Sequence, residues 1–186
     1  MPKRGVPCGM TKAIVDTNIL LIANQQHRDV SPECVLACIE HLQHLQAHGV
    51  IVIDDGYRML DEYRHKTRLN PPRHVGDVFL KWLLRNTGNP RRVEQVRITE
   101  TADNGFVEFP DAALQARFDP SDRKFAAVAN AHPDKPPIWQ AADCKWLDWW
   151  PALRRHGVRV EFLCPDDACR FYHHKFPDQP LPKPPS

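Results

Sequence analysis

Short apolar runs closed by a charged or turn-forming residue alternate with stretches whose apolar residues recur every three or four positions. Lys12-Ala-Ile-Val-Asp16, Val50-Ile-Val-Ile53, Pro136 to Ala141 and Val158 to Leu163 have the first pattern. The first two predict buried strands, and the last two are further strand candidates. Asn18 to Asn24 reads as a helix directly after the first of them. Ser31-Pro-Glu is a helix start, with a capping Ser, Pro at the first position and an acid in the first turn. Val35, Ile39, Leu42 and Leu45 then follow at helical spacing, and Gly49 ends the segment. Asp54-Asp-Gly opens a helix carrying Tyr57, Leu60 and Tyr63, and His74 to Asn86 reads as another, with Val78, Phe79, Trp82 and Leu83. Asp119-Pro-Ser-Asp122 starts a further helix through Phe125 to Ala129, and 148–156 and 164–176 complete the set. Val93 to Ile98 and Gly105 to Phe109, either side of Asp103-Asn-Gly, predict a small β-hairpin insertion.

Strands separated by helices predict an α/β fold with a mainly parallel sheet. The chain of 186 residues suits one domain, taken as 1–176 with its core over about 12–163. Residues 177–186 are Pro-rich and are expected to be a disordered tail. The basic start is not followed by a long apolar stretch, so neither a signal peptide nor a membrane span is expected. Six cysteines in this length do not make a disulfide-dense scaffold, and a cytoplasmic setting is the simpler expectation. A net charge of +2 carries no whole-molecule signature of nucleic-acid binding, so local patches must do so.

Chemistry enters through the acids. Asp16 and Asp143 fall at carboxyl ends of predicted strands, where α/β sheets bind ligands. Asp122 lies at a helix start and Glu62 within a helix that follows a strand. Each has an ordinary structural reading as a cap, a turn residue or a solvated charge. If the four converge, each close pair repels by ~4 kcal/mol at an effective dielectric of about 20. Such a cluster needs protonation or a cation, and oxygen-only ligands select Mg²⁺ or Mn²⁺.

As an ordered set, these acids resemble those of the PIN domain family, metal-dependent nucleases of the FEN-like type. Asp16 in Ile-Val-Asp-Thr-Asn resembles the first acid, with Asn18 in the usual polar position after it. Glu62 in Met-Leu-Asp-Glu-Tyr resembles the second, and Asp122 before Arg-Lys-Phe-Ala-Ala-Val-Ala the third. Asp143 in Ala-Ala-Asp-Cys-Lys-Trp-Leu-Asp resembles the fourth, with Asp148 as an auxiliary acid. Ala141 stands where the family commonly has Ser or Thr. The resemblance spans about 12–163. It implies a three-layer α/β/α sandwich, Mg²⁺ or Mn²⁺ held by Asp16, Glu62, Asp122, Asp143 and Asp148, and endonucleolytic hydrolysis of single-stranded or looped RNA. It also suggests a toxin or defence effector with a small antitoxin-like partner, and homodimers through the helices at 17–27 and 34–48. The alternatives are a DNA nuclease on the same site and a catalytically degenerate RNA-binding or assembly module.

Basic residues beside these acids are candidate phosphate contacts. Arg58, Arg64, Lys66, Arg68 and Arg73 surround the Glu62 helix, Arg85, Arg91 and Arg92 continue the stretch, and Arg123 and Lys124 adjoin Asp122. With Asn18, the residues Arg64, Arg123 and Lys124 form the expected substrate-binding set. Trp139, Trp146, Trp149 and Trp150 read more readily as core than as stacking platforms for bases. Cys164, Cys169 and the His173-His174 pair match zinc-site spacing only loosely, and ordinary buried thiols with a surface His pair are the preferred reading. Cys34 and Cys38 share a helical face and read as core. Cys144 adjoins Asp143 but has no identifiable base, which argues against thiol catalysis.

Overall fold

The computed structural model describes residues 10–185; the basic start of the chain and Ser186 lie outside them. Strands β1 (Lys12–Val15), β2 (Val50–Asp54), β3 (Val93–Val96), β4 (Ile138–Gln140) and β5 (Val160–Phe162) form one sheet in the order β3-β2-β1-β4-β5. Every pairing is parallel. The helices among the described residues are α1 (Thr17–Ala23), α2 (Pro32–His48), α3 (Arg58–Lys66), α4 (Val75–Asn86), α5 (Ala112–Arg117), α6 (Arg123–Ala131), α7 (Trp146–Arg155) and α8 (Pro165–Lys175). The protein is thus α/β with an all-parallel sheet, consistent with a three-layer arrangement.

The strand order reverses between β1 and β4, which creates a crevice beyond their carboxyl ends. Ile14 and Val15 pair with Ile138 and Trp139, so Asp16 emerges beside Gln140. The central strands are buried on both faces, as their unbroken apolar runs predict.

Local chemistry fixes the helices that border this crevice. Ser31 Oγ accepts the Cys34 amide at 3.2 Å and starts α2. Gly49 ends it, because a Cβ there would lie 2.9 Å from the Thr11 carbonyl oxygen. Asp54, wholly buried, accepts the amides of Arg58 and Met59 at 2.9 Å each and starts α3. Asp77 accepts amides from Arg68, Arg73 and His74 and an amide hydrogen bond from Asn24. These bonds hold its carboxyl below the usual range despite burial, and they close the loop between α3 and α4.

Two expectations are corrected. Val93 to Val96 does not pair in a hairpin; it joins β2 in parallel as an edge strand. Beyond it only a bridged loop remains, with Glu100 opposite Phe106. The mixed apolar and polar run Val93-Glu-Gln-Val-Arg-Ile98 suits a half-exposed edge strand, and it does not specify the partner. Secondly, Cys34 and Cys164 are not free thiols but a disulfide across a separation of 130 residues, tying the first turn of α2 to the residue before α8. Cys164 is therefore not free to ligate a metal with Cys169 and His173. The Pro-rich tail forms neither helix nor strand over 177–185, and its Lys183 carbonyl accepts from the Trp150 indole at 3.1 Å. No helix is long and apolar enough to cross a membrane.

Candidate functional site

Asp16 follows β1 directly and caps α1, accepting the Asn18 amide at 2.9 Å. Its carboxyl is 5% exposed. Burial pushes its pKa well above the usual carboxylate range, and the charges of Asp122, Asp143 and Glu62 push further in the same direction. Four carboxylates distant in sequence therefore share one electrostatic environment.

Asp122 precedes α6 but makes no side-chain cap bond, so its carboxylate is not consumed by the helix end. It rises to about 7 through burial and then the charge of Asp143, with Asp119 and Glu62 adding to the rise and Lys124 opposing it. Burial also raises Asp143, while the Lys145 amide, donating at 3.1 Å, and the charges of Lys145 and Lys175 restrain the shift. Glu62, on the second turn of α3, accepts the Thr17 hydroxyl at 2.5 Å and the Lys124 ammonium. Thr17 and Glu62 thereby join the start of α1 to α3. Tyr63 adds a second tie, donating its buried hydroxyl to the Val15 carbonyl.

Among the described residues, no three of these carboxylates bring one oxygen each within 4.8 Å of one another. Lys124 is the cation paired with Glu62 in this group. The donor set is all oxygen, which fits a hard divalent cation. Protonation of some members is the other way such a cluster persists.

Comparison with protein-family models, curated proteins and solved structures returned no match to this chain. The site is therefore read from its own geometry.

Of the expected site residues, Asp16, Glu62, Asp122 and Asp143 lie near enough to feel one another's charge. Asp148 has another partner: its carboxylate accepts the Tyr172 hydroxyl at 2.8 Å and joins α7 to α8. Asn18 accepts the Ala141 amide at 3.1 Å and donates to the Gln140 side chain, so it fastens α1 to the end of β4. It also borders a cavity of about 330 Å³ shared with Asp143, His27 and Phe171.

The expected substrate role of Arg123 is corrected. Its guanidinium is buried and donates to the carbonyls of Phe118, Asp103 and Asn104. Lys124, also buried, is committed to Glu62 and the Ser121 carbonyl. Arg58 is paired with Asp54 and Glu100, and Arg92 donates to the carbonyls of Gln46 and Ala47. Arg64, Lys66, Arg68 and Arg73 remain exposed. Trp139, Trp146 and Trp149 are buried, the last stacked on Phe118 at 3.9 Å between centroids.

Several contributors were not found from sequence. Thr17 acts through a hydrogen bond to Glu62 that only the fold creates, whereas the Lys145 amide meets Asp143 in a local turn two residues back. Gln140 is wholly buried; its oxygen accepts the Ala141 amide at 2.8 Å, while its Nε2 has no partner. A lone amide side chain in an apolar strand was the available signal.

Proposed function

We propose that the protein is a metal-dependent ribonuclease, with Asp16, Asp122, Asp143 and Glu62 holding Mg²⁺ or Mn²⁺ at the carboxyl edge of the sheet. The observation that supports this reading is that these carboxylates, carried by separate elements, act on one another's charge beside the strand-order reversal, with Asp16, Asp122 and Asp143 all raised. A bound divalent ion supplies an acidified water and stabilises charge on the phosphoryl group. The chain's own residues set the rest. Thr17 orients Glu62, the Lys145 amide orients Asp143, and the Asn18 amide orients Asp16. The resemblance to PIN domain nucleases supports RNA as substrate, and with it a cytoplasmic toxin or defence role.

The test is cleavage of an RNA oligomer under Mn²⁺ by wild type and by Asp16→Asn combined with Asp122→Asn. A loss of roughly 100-fold or more is expected on removing these ligands. Equal rates overturn the assignment. Parallel DNA oligomers decide between RNA and DNA.

The Lys124–Glu62 ion pair and the open spacing of the acids favour a second reading, an RNA-binding module without hydrolysis. Calorimetry separates the two. RNA binding without a heat of Mg²⁺ binding supports the module.

A further inference from the structure

Away from the carboxylates, α2 and the start of α8 bring three sulfurs together. Cys34 and Cys38 stand four residues apart on one face of α2, and Cys164 meets them from the residue preceding α8. Their exposures are 3%, 0% and 5%, and the three sulfurs lie within 4.8 Å of one another. Cys34 and Cys164 are bonded, while Cys38 is free. A disulfide staple needs two sulfurs. The third, aimed from the same helical face at the same point, has no part in it.

We propose that Cys34, Cys38 and Cys164, once reduced, form an all-thiolate site for one thiophilic d¹⁰ cation of the Cu⁺, Zn²⁺ and Cd²⁺ class. A dithiol reductant gives two electrons and two protons to the Cys34–Cys164 bond and is itself oxidised to its disulfide. Three thiols remain. Binding the cation then forms three metal–sulfur bonds and releases three protons to solvent. Metal–sulfur bonds of about 2.3 Å put the sulfurs roughly 4 Å apart, so the bonded Cys34 and Cys164 sulfurs part on reduction, while Cys38 already lies within 4.8 Å of both. Sulfur donors without a carboxylate oxygen select soft ions and reject Mg²⁺, so this site and the acid cluster take different cations. With the disulfide closed only Cys38 is left, so oxidation abolishes the site. This inference does not depend on the nuclease reading.

Cd²⁺ is the probe. The full chain is reduced with a dithiol, freed of it without air, and titrated while thiolate-to-cadmium absorption is followed. One equivalent is expected to saturate the reduced protein, and the oxidised protein is expected to show no such band. Cys38→Ser is expected to weaken binding roughly 100-fold, and Cys169→Ser to leave it unchanged. Because Cys38 is buried, a second measurement uses the wild type alone. Alkylation with mass mapping should find Cys34, Cys38 and Cys164 protected together by Cd²⁺ in the reduced chain. Absence of stoichiometric binding, protection of other cysteines instead, or unweakened binding by a folded Cys38→Ser variant overturns the proposal.

Discussion

A carboxyl held at about 7 destabilises the folded chain in the range where it must ionise. For Asp122 the fold favours the neutral form. Its contribution is therefore intact below the ordinary carboxylate range and lost as pH rises through about 7. The loss amounts to up to about 4 kcal/mol. Asp16 and Asp143 shift in the same direction and add to it. Asp77 and Asp167 are lowered instead, so their contributions fail only in more acid solution and leave this window clear. The urea midpoint of metal-free protein is expected to fall between pH 4.5 and pH 7.5, to flatten in Asp122→Asn, and to recover with Mg²⁺. A wild-type midpoint that rises across the window contradicts the cluster. Lys124 makes a complementary case. Its ammonium competes with any cation for Glu62, so Lys124→Ala is expected to tighten Mn²⁺ binding by about tenfold. Weaker binding by calorimetry means that Lys124 organises the site and does not compete for it.

At the scale of elements, Arg123 shows how a residue beside a proposed ligand serves the fold. It joins the start of α6 to the Phe118 carbonyl and to the bridged loop at Asp103 and Asn104. Arg123→Ala leaves these carbonyls short of a donor and is expected to cost about 2 to 3 kcal/mol in denaturant unfolding. The salt dependence of RNA binding should stay unchanged; a reduced slope means that the guanidinium reaches phosphate after all. The ends of α2, the two-face burial of β1 and β2, and the acids at strand ends were legible in sequence, because capping and burial are local signals. The role of Arg123 was not, since its acceptors lie in loops up to twenty residues away. The six-residue α5 is too short to show a period, and the pairing of β3 depends on β2, which the residues Val93 to Ile98 do not encode. Nor does spacing along the chain reveal that Cys34 meets Cys164.

Over the whole molecule, a net charge of +2 gives little long-range attraction for a polyanion. Binding must come from a local surface, and the fold narrows the choice. Arg58, Arg92, Arg123 and Lys124 are committed to internal partners. Arg64 and Lys66 stay exposed at the end of α3, the helix that carries Glu62, and Arg68 and Arg73 stay exposed in the loop after it. Arg64 has only a long contact to Asp61 at 4.0 Å, with both side chains exposed, and such a pair offers little competition to phosphate. Arg64→Glu combined with Lys66→Glu is therefore expected to weaken RNA binding by at least about tenfold. The slope of log affinity against log salt should fall by about 1.4, which is two single-strand phosphate contacts. Neither residue belongs to the acid cluster, so the single-turnover rate at saturating RNA should hold within about twofold, since the loss is of uniform binding. An unchanged salt slope moves the RNA path off α3. A falling rate with an unchanged affinity instead puts these side chains against the reacting phosphate.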